Sequence, residues 1–133
     1  MAGPGLVNGE LDLLSAARAA SFASLMEVPL EIDVLEARRL LQAGGGAALL
    51  DVREPSETVL CAVPGSLLIP MREIPAKFAE LPSDRHLLVL CHHGGRSLRV
   101  TQFLRANGLP RVSNVAGGID AWAAHCDPTL ARY

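Results

Sequence analysis

The chain has 133 residues, enough for one domain with a sizeable core and too few for two of ordinary size. Its 12 basic residues against 14 acidic ones leave a formal charge of −2, which argues against a nucleic-acid partner and against an anionic membrane surface. Three cysteines, at 61, 91 and 126, are an odd and sparse set for a secreted disulfide framework, so a reducing, cytoplasmic setting is expected.

Glu10 and Asp12 precede Arg18, the first basic residue, which does not fit a signal peptide, and no apolar run approaches the roughly twenty residues of a membrane span. Residues 1–9 carry Gly and Pro and read as unstructured. From Glu10 to Met26 the composition is helical, with Leu11, Leu14, Ala17, Phe22 and Leu25, and Pro29 ends the segment. Residues 1–29 are therefore expected to be a partly helical N-terminal extension, suited to dock on the domain or to serve as a homodimer arm. Residues 30–126 form the domain, and 127–133 a C-terminal tail.

Leu30-Glu31-Ile32 predicts a short strand. Asp33 then caps a helix, with Glu36 completing a capping box and Val34, Ala37, Leu40 and Leu41 on one face. Gly44-Gly45-Gly46 stops it. The run Ala47–Val52 holds a single charge, Asp51, and predicts a strand buried on both faces. Ser66–Ile69 predicts another strand, and Pro70–Leu81 a short helix with Ile74, Phe78 and Leu81 inward. Leu87–Leu90 is the next strand. The helix after it packs Val100, Phe103 and Leu104 and turns Arg99, Gln102 and Arg105 to water. Val112–Val115 is the last strand, Ala116-Gly117-Gly118 a loop, and Ile119–His125 the last helix, docked through Ile119 and Trp122.

Strands alternating with helices imply right-handed crossovers and an α/β fold in three layers, with a central parallel sheet of about five strands and helices on both faces. Ligands bind such sheets at the carboxyl ends of the strands. Asp51-Val52-Arg53-Glu54, the Cys91–Arg96 loop and Ala116-Gly117-Gly118 all lie at such ends.

Among them, Cys91-His92-His93-Gly94-Gly95-Arg96-Ser97 carries the chemistry. A tight loop beside a helix N-terminus points unsatisfied N–H groups at its centre, and the positive end of the helix dipole points there too. A thiolate at that centre is stabilised, so the Cys91 thiol is expected to titrate below the free value of about 8.5. Arg96 adds a full charge if it folds back toward the sulfur, and the histidines add fractional charge near neutral pH. The alternative, a buried structural cysteine before a flexible glycine turn, leaves His92, His93 and Arg96 without a purpose.

Four segments taken together resemble the rhodanese-like sulfurtransferase domain: Leu50-Asp51-Val52-Arg53-Glu54-Pro55 with Glu57, Val63-Pro64-Gly65, the loop Cys91 to Ser97, and Gly117-Gly118-Ile119 with Ala121-Trp122. The paired histidines and the stretch Asp127-Pro128 to Tyr133 resemble a bacterial single-domain subset. The resemblance implies a Cys91 thiolate that takes a sulfane sulfur from thiosulfate or a persulfide donor. A persulfide on Cys91 is then held by His92, His93, Gly94, Gly95, Arg96 and Ser97 and passed to a nucleophilic acceptor, a thiol or protein cysteine. It implies a small anionic donor and no cofactor. Related cysteine phosphatases and arsenate reductases carry five residues between the cysteine and the arginine; here there are four, which favours a single sulfur over a phosphoryl group. A non-catalytic or redox-sensing binding module of the same fold is the remaining alternative.

Two departures from the family pattern stand out. Ser56 and Thr58 replace an aromatic pair around Glu57, and Cys61-Ala62 replaces Gly-His before the Pro-Gly. Cys61 is either a small core residue or, if close to Cys91, a resolving thiol. Asp51, Arg53, Glu54, Gly117 and Gly118 are expected to wall the pocket. Asp51 serves as a structural partner of the loop or of Arg53, and Arg53 either lines the mouth or pairs with Glu54 or Glu57 at the surface. No metal site is expected, because Cys91, His92, His93, His125 and Cys126 offer mainly adjacent ligands on tight loops.

Overall fold

The computed structural model describes residues 28–133; the expectations for the extension before Val28, including the homodimer arm, lie outside the described residues. Five strands, β1 (Glu31–Ile32), β2 (Ala47–Asp51), β3 (Leu67–Leu68), β4 (His86–Leu90) and β5 (Val112–Val115), form one parallel sheet in the order β1-β5-β4-β2-β3. The helices are α1 (Val34–Gln42), α2 (Pro55–Thr58), α3 (Ile74–Lys77), α4 (Gly95–Ala106) and α5 (Gly118–His125). No helix among the described residues is long and apolar enough to cross a membrane.

Alternation along β2 and β4 sends side chains to two cores. Ala47, Leu49, Leu88 and Leu90 pack with Val34 and Ala37 of α1 and Ile119 and Trp122 of α5. On the other face, Leu50, Leu87 and Val89 pack with Ile74, Val100 and Leu104. This is the expected three-layer α/β fold, and β2 and β4 are mostly apolar because helices cover them on both sides, with Asp51 and His86 as their buried polar residues.

Several local expectations need correction. Asp33 does cap α1 by accepting the Glu36 N–H at 2.8 Å, but the Glu36 carboxylate turns to Arg39 instead of closing a box. Residues 70–81 form no single helix: 3-10 turns at Met71–Glu73 and Phe78–Glu80 flank α3, consistent with Pro75 in its first turn. Phe103 is exposed and lines an apolar cleft with Met71, Ile74 and Val100. Arg105 is half-buried, donating to the carbonyls of Val112 and Val28, because its guanidinium completes backbone acceptors at the edge of the sheet.

Candidate active site

β4 runs straight into Cys91, and the loop that follows closes in the space of His92-His93-Gly94 before α4 begins. Gly94 makes the turn: its φ is +110°, and a Cβ there would lie 3.2 Å from the Gly117 nitrogen. The loop is locked from the neighbouring strand end. The first amides of α5 donate to it, Ile119 N to Cys91 O at 2.8 Å and Asp120 N to His92 O at 3.1 Å. That approach requires Gly118, whose φ is +61° and where a Cβ would collide with the carbonyls of Cys91 and His92. Gly117 and Gly118 therefore support the loop from behind through the backbone.

Cys91 is buried, keeping 1% of its surface. Its Sγ accepts from the Gly94 N–H at 3.1 Å and lies 3.2 Å from the Ser97 hydroxyl, which donates to it. Burial alone would push the thiol up. The Ser97 hydroxyl and the amides of Ser97, Gly94 and His93 outweigh it, so the thiol lies below its ordinary value.

Arg96 does not fold freely over the sulfur. Its guanidinium grips Glu57 in a fork, Nη1 to Oε1 at 2.7 Å and Nη2 to Oε2 at 2.9 Å. The Arg96 fork, against a smaller opposing effect of burial, holds the Glu57 carboxyl at about 2, and the Glu54 N–H donates to the same group at 3.1 Å. Arg96 is raised by its bonds to Glu57, and a thiolate at Cys91 raises it further. The Arg96 side chain is thus anchored to α2, next in sequence to the Ser97 that donates to the sulfur.

Asp51 and Arg53 correct the expected pocket wall, since both are buried and their side chains form an ion pair at 2.7 Å with 0% exposure on either side. Arg53 lines no mouth and pairs with neither Glu54 nor the Glu57 carboxylate. It donates to both Asp51 oxygens, to the carbonyls of Cys61 and Glu57, and to the Tyr133 hydroxyl at 2.9 Å. Burial works against its charge, but Asp51 and Tyr133 more than compensate and raise it. Glu54 faces outward and pairs with Arg72. Cys61 lies in the core on the α1/α5 face of the sheet, whereas Cys91 belongs to the α4 face.

His92 is the middle of a stack, 3.8 Å from the His93 ring and 3.9 Å from the Tyr133 ring, the latter nearly parallel at 7°. Its Nε2 is buried with no hydrogen-bond partner among the described residues. One group of potential metal ligands comes together there, His92, His93 and Asp120, with donor atoms within 4.8 Å of one another. The Asp120 carboxylate, however, already accepts from Arg132 at 3.1 and 3.2 Å.

Two partnerships at this site are not among the sequence expectations. Glu57 belongs to the motif quoted above, but its fork with Arg96 is not among its expected pairings. The contacts of Tyr133 had no signal, because its partners are Arg53, Glu57 and His92, far away in sequence.

A cysteine in an amide cradle at the carboxyl edge of a five-stranded parallel sheet defines the class of site, and comparison with known proteins agrees. The rhodanese-like domain matches residues 33–125. The chain is 37% identical over 101 residues to a sulfurtransferase of Allochromatium vinosum, covering 76% of this chain and 94% of that one. It is 37% identical over 105 residues to the human thiosulfate:glutathione sulfurtransferase, covering 68% and 90%. The solved human single-domain sulfurtransferase superposes with a TM-score of 0.63 at 33% identity, covering 73% of this chain and 97% of that one. Other relatives are longer proteins, of which the match spans 26% to 30%. The chain belongs to the rhodanese-like domain family, and it is a sulfurtransferase of the rhodanese type.

Proposed function

We propose that the protein moves a sulfane sulfur from thiosulfate or a similar small anionic donor to a thiol acceptor through a persulfide on Cys91. The observation that carries this reading is the cradle: Sγ accepts from Gly94 N–H and Ser97 O–H at the N-terminus of α4. In the first half-reaction the Cys91 thiolate attacks the outer sulfur of thiosulfate. The S–S bond of the donor breaks, and its electron pair leaves on sulfite. The terminal persulfide sulfur is an anion, and the donors that stabilise the thiolate suit it as well.

In the second half-reaction the acceptor attacks that terminal sulfur and the Cys91 thiolate departs, restoring the enzyme. With cyanide the product is thiocyanate; with a thiol it is a new persulfide. The name of the human relative, which pairs thiosulfate with glutathione, supports a thiol as acceptor. Two features favour sulfur over phosphate: the four-residue spacing from Cys91 to Arg96, and an arginine engaged by Glu57 instead of free to clamp equatorial oxygens.

Intact mass after incubation with thiosulfate tests the proposal. One added sulfur atom, removed by cyanide and missing in Cys91→Ser, is expected. A wild-type protein that gains nothing sinks the mechanism and favours a binding module.

A further inference from the structure

Tyr133 lies where three parts of the site meet. Its ring stacks on His92, and its hydroxyl sits between Arg53 Nη1 at 2.9 Å and Glu57 Oε2 at 2.8 Å. A phenol has one proton to donate, and a guanidinium can only donate. Arg53 must therefore give to the phenolic oxygen, and the phenol must give to Glu57. Burial pushes the phenol up to about 12, so the proton it donates is present throughout the neutral range. The result is a chain of contacts in which Arg53, paired with Asp51, donates to Tyr133 and Tyr133 donates to Glu57, while Arg96 donates to the same carboxylate from the other side, so the donations converge on Glu57.

We propose that Tyr133 is a positioning residue, whose hydroxyl fixes the Glu57 carboxylate and thereby holds the Arg96 guanidinium at the Cys91 loop. Glu57 stands on α2, which is only four residues long, and the capping box of that helix holds just one of its carboxylate oxygens. The Glu54 N–H fixes Oε1, and the Tyr133 hydroxyl fixes Oε2. Both prongs of the Arg96 fork rest on oxygens so held.

Tyr133→Phe removes the hydroxyl and keeps the ring on His92. Arg53 Nη1 retains the Glu57 carbonyl at 3.3 Å, so the buried cation is not stranded and the fold should persist. The readout is the rate of Cys91 alkylation by iodoacetamide against pH, which involves no sulfur donor. With Arg96 less well held, the rate below the midpoint should fall about threefold, equivalent to half a pKa unit. In an Arg96→Gln background the same substitution should change nothing further, since the two act on one path.

An unchanged profile in Tyr133→Phe overturns the proposal. So does an equal slowing in the Arg96→Gln background, because it would mean that Tyr133 acts on Cys91 without Arg96. The role concerns the same cysteine as the sulfur-transfer reading, but the mass measurement with thiosulfate decides that reading separately: a protein that takes no sulfur and still shows the coupled alkylation effect keeps the positioning role and loses the function.

Discussion

Glu57 holds Arg96 across 39 residues of sequence, two oxygens against two nitrogens at 2.7 and 2.9 Å. A fork of this kind fixes orientation as well as charge. One partner belongs to the loop around Cys91 and the other to α2 after the β2 strand, so the pair ties two strand ends into one site.

Glu57→Gln keeps the shape of the side chain and removes its charge. One prong then faces an amide nitrogen that cannot accept, and Arg96 loses its fixed direction. The expected result is a fall of about tenfold in kcat/KM with thiosulfate and cyanide, equivalent to ~1.4 kcal/mol. Steady-state kinetics check it. An unaltered kcat/KM would mean that Arg96 needs no carboxylate to serve the site.

Ser97→Ala separates the hydroxyl from the amides of the cradle. Ser97 is fully buried, and its O–H is the side-chain donor that lowers the Cys91 thiol. Without it, burial opposes the thiolate with less compensation, so the thiol moves up and less thiolate is present at neutral pH. Alkylation of Cys91 should titrate about one pKa unit higher, a tenfold lower rate below the midpoint. A midpoint that stays in place would assign the whole effect to the backbone.

The order of strands and helices was legible because β2 and β4 are buried on both faces and read as apolar runs, and because the Cys91 loop is local in sequence. Gly117 and Gly118, expected as pocket wall, lie against the backbone of that loop from behind, where strand ends of a parallel sheet converge. Side-chain direction was not legible. Whether Arg53 faces a mouth or a core depends on Asp51 two residues earlier sharing its face, and on Cys61, Glu57 and Tyr133 supplying acceptors. Composition and periodicity do not encode such partners. Phe103 misled for a related reason: helical spacing put it near Val100 and Leu104, but nothing among the described residues covers the cleft it lines.

Arg53→Leu tests the buried pair by removing its cation. Asp51 would remain a charge with no counter-ion at a fully buried position, and the carbonyl of Cys61 would lose its guanidinium donor. Breaking such a pair costs about 3–5 kcal/mol. Urea unfolding should show that loss as a lower midpoint at an unchanged slope. A loss below ~1 kcal/mol would mean that the surrounding backbone solvates Asp51 unaided.

His86 predicts how stability follows pH. Its ring is buried at the start of β4, with Nε2 2.8 Å from the Ser113 hydroxyl, and burial, reinforced by Arg111 and Arg105, lowers it to about 4 from an ordinary 6.5. In the unfolded chain the imidazole takes up a proton as pH falls below 6.5, whereas in the folded protein it resists until near 4. The unfolded state therefore binds more protons over this window, and stability must fall as the solution is acidified through it. Glu57 extends the loss below that window: its folded carboxyl lies at about 2 against an ordinary 4.5, so the stability it contributes is present above 4.5 and disappears as pH drops toward 2. Thermal unfolding followed from pH 7.5 to 3 should give a Tm that declines from about pH 6.5. His86→Gln, which retains a group able to bond Ser113, should flatten the upper part of that decline and leave the lower part in place. A wild-type Tm that stays level between pH 6.5 and 4.5 would show that His86 can charge within the folded protein, through a movement of β4 or of Arg111.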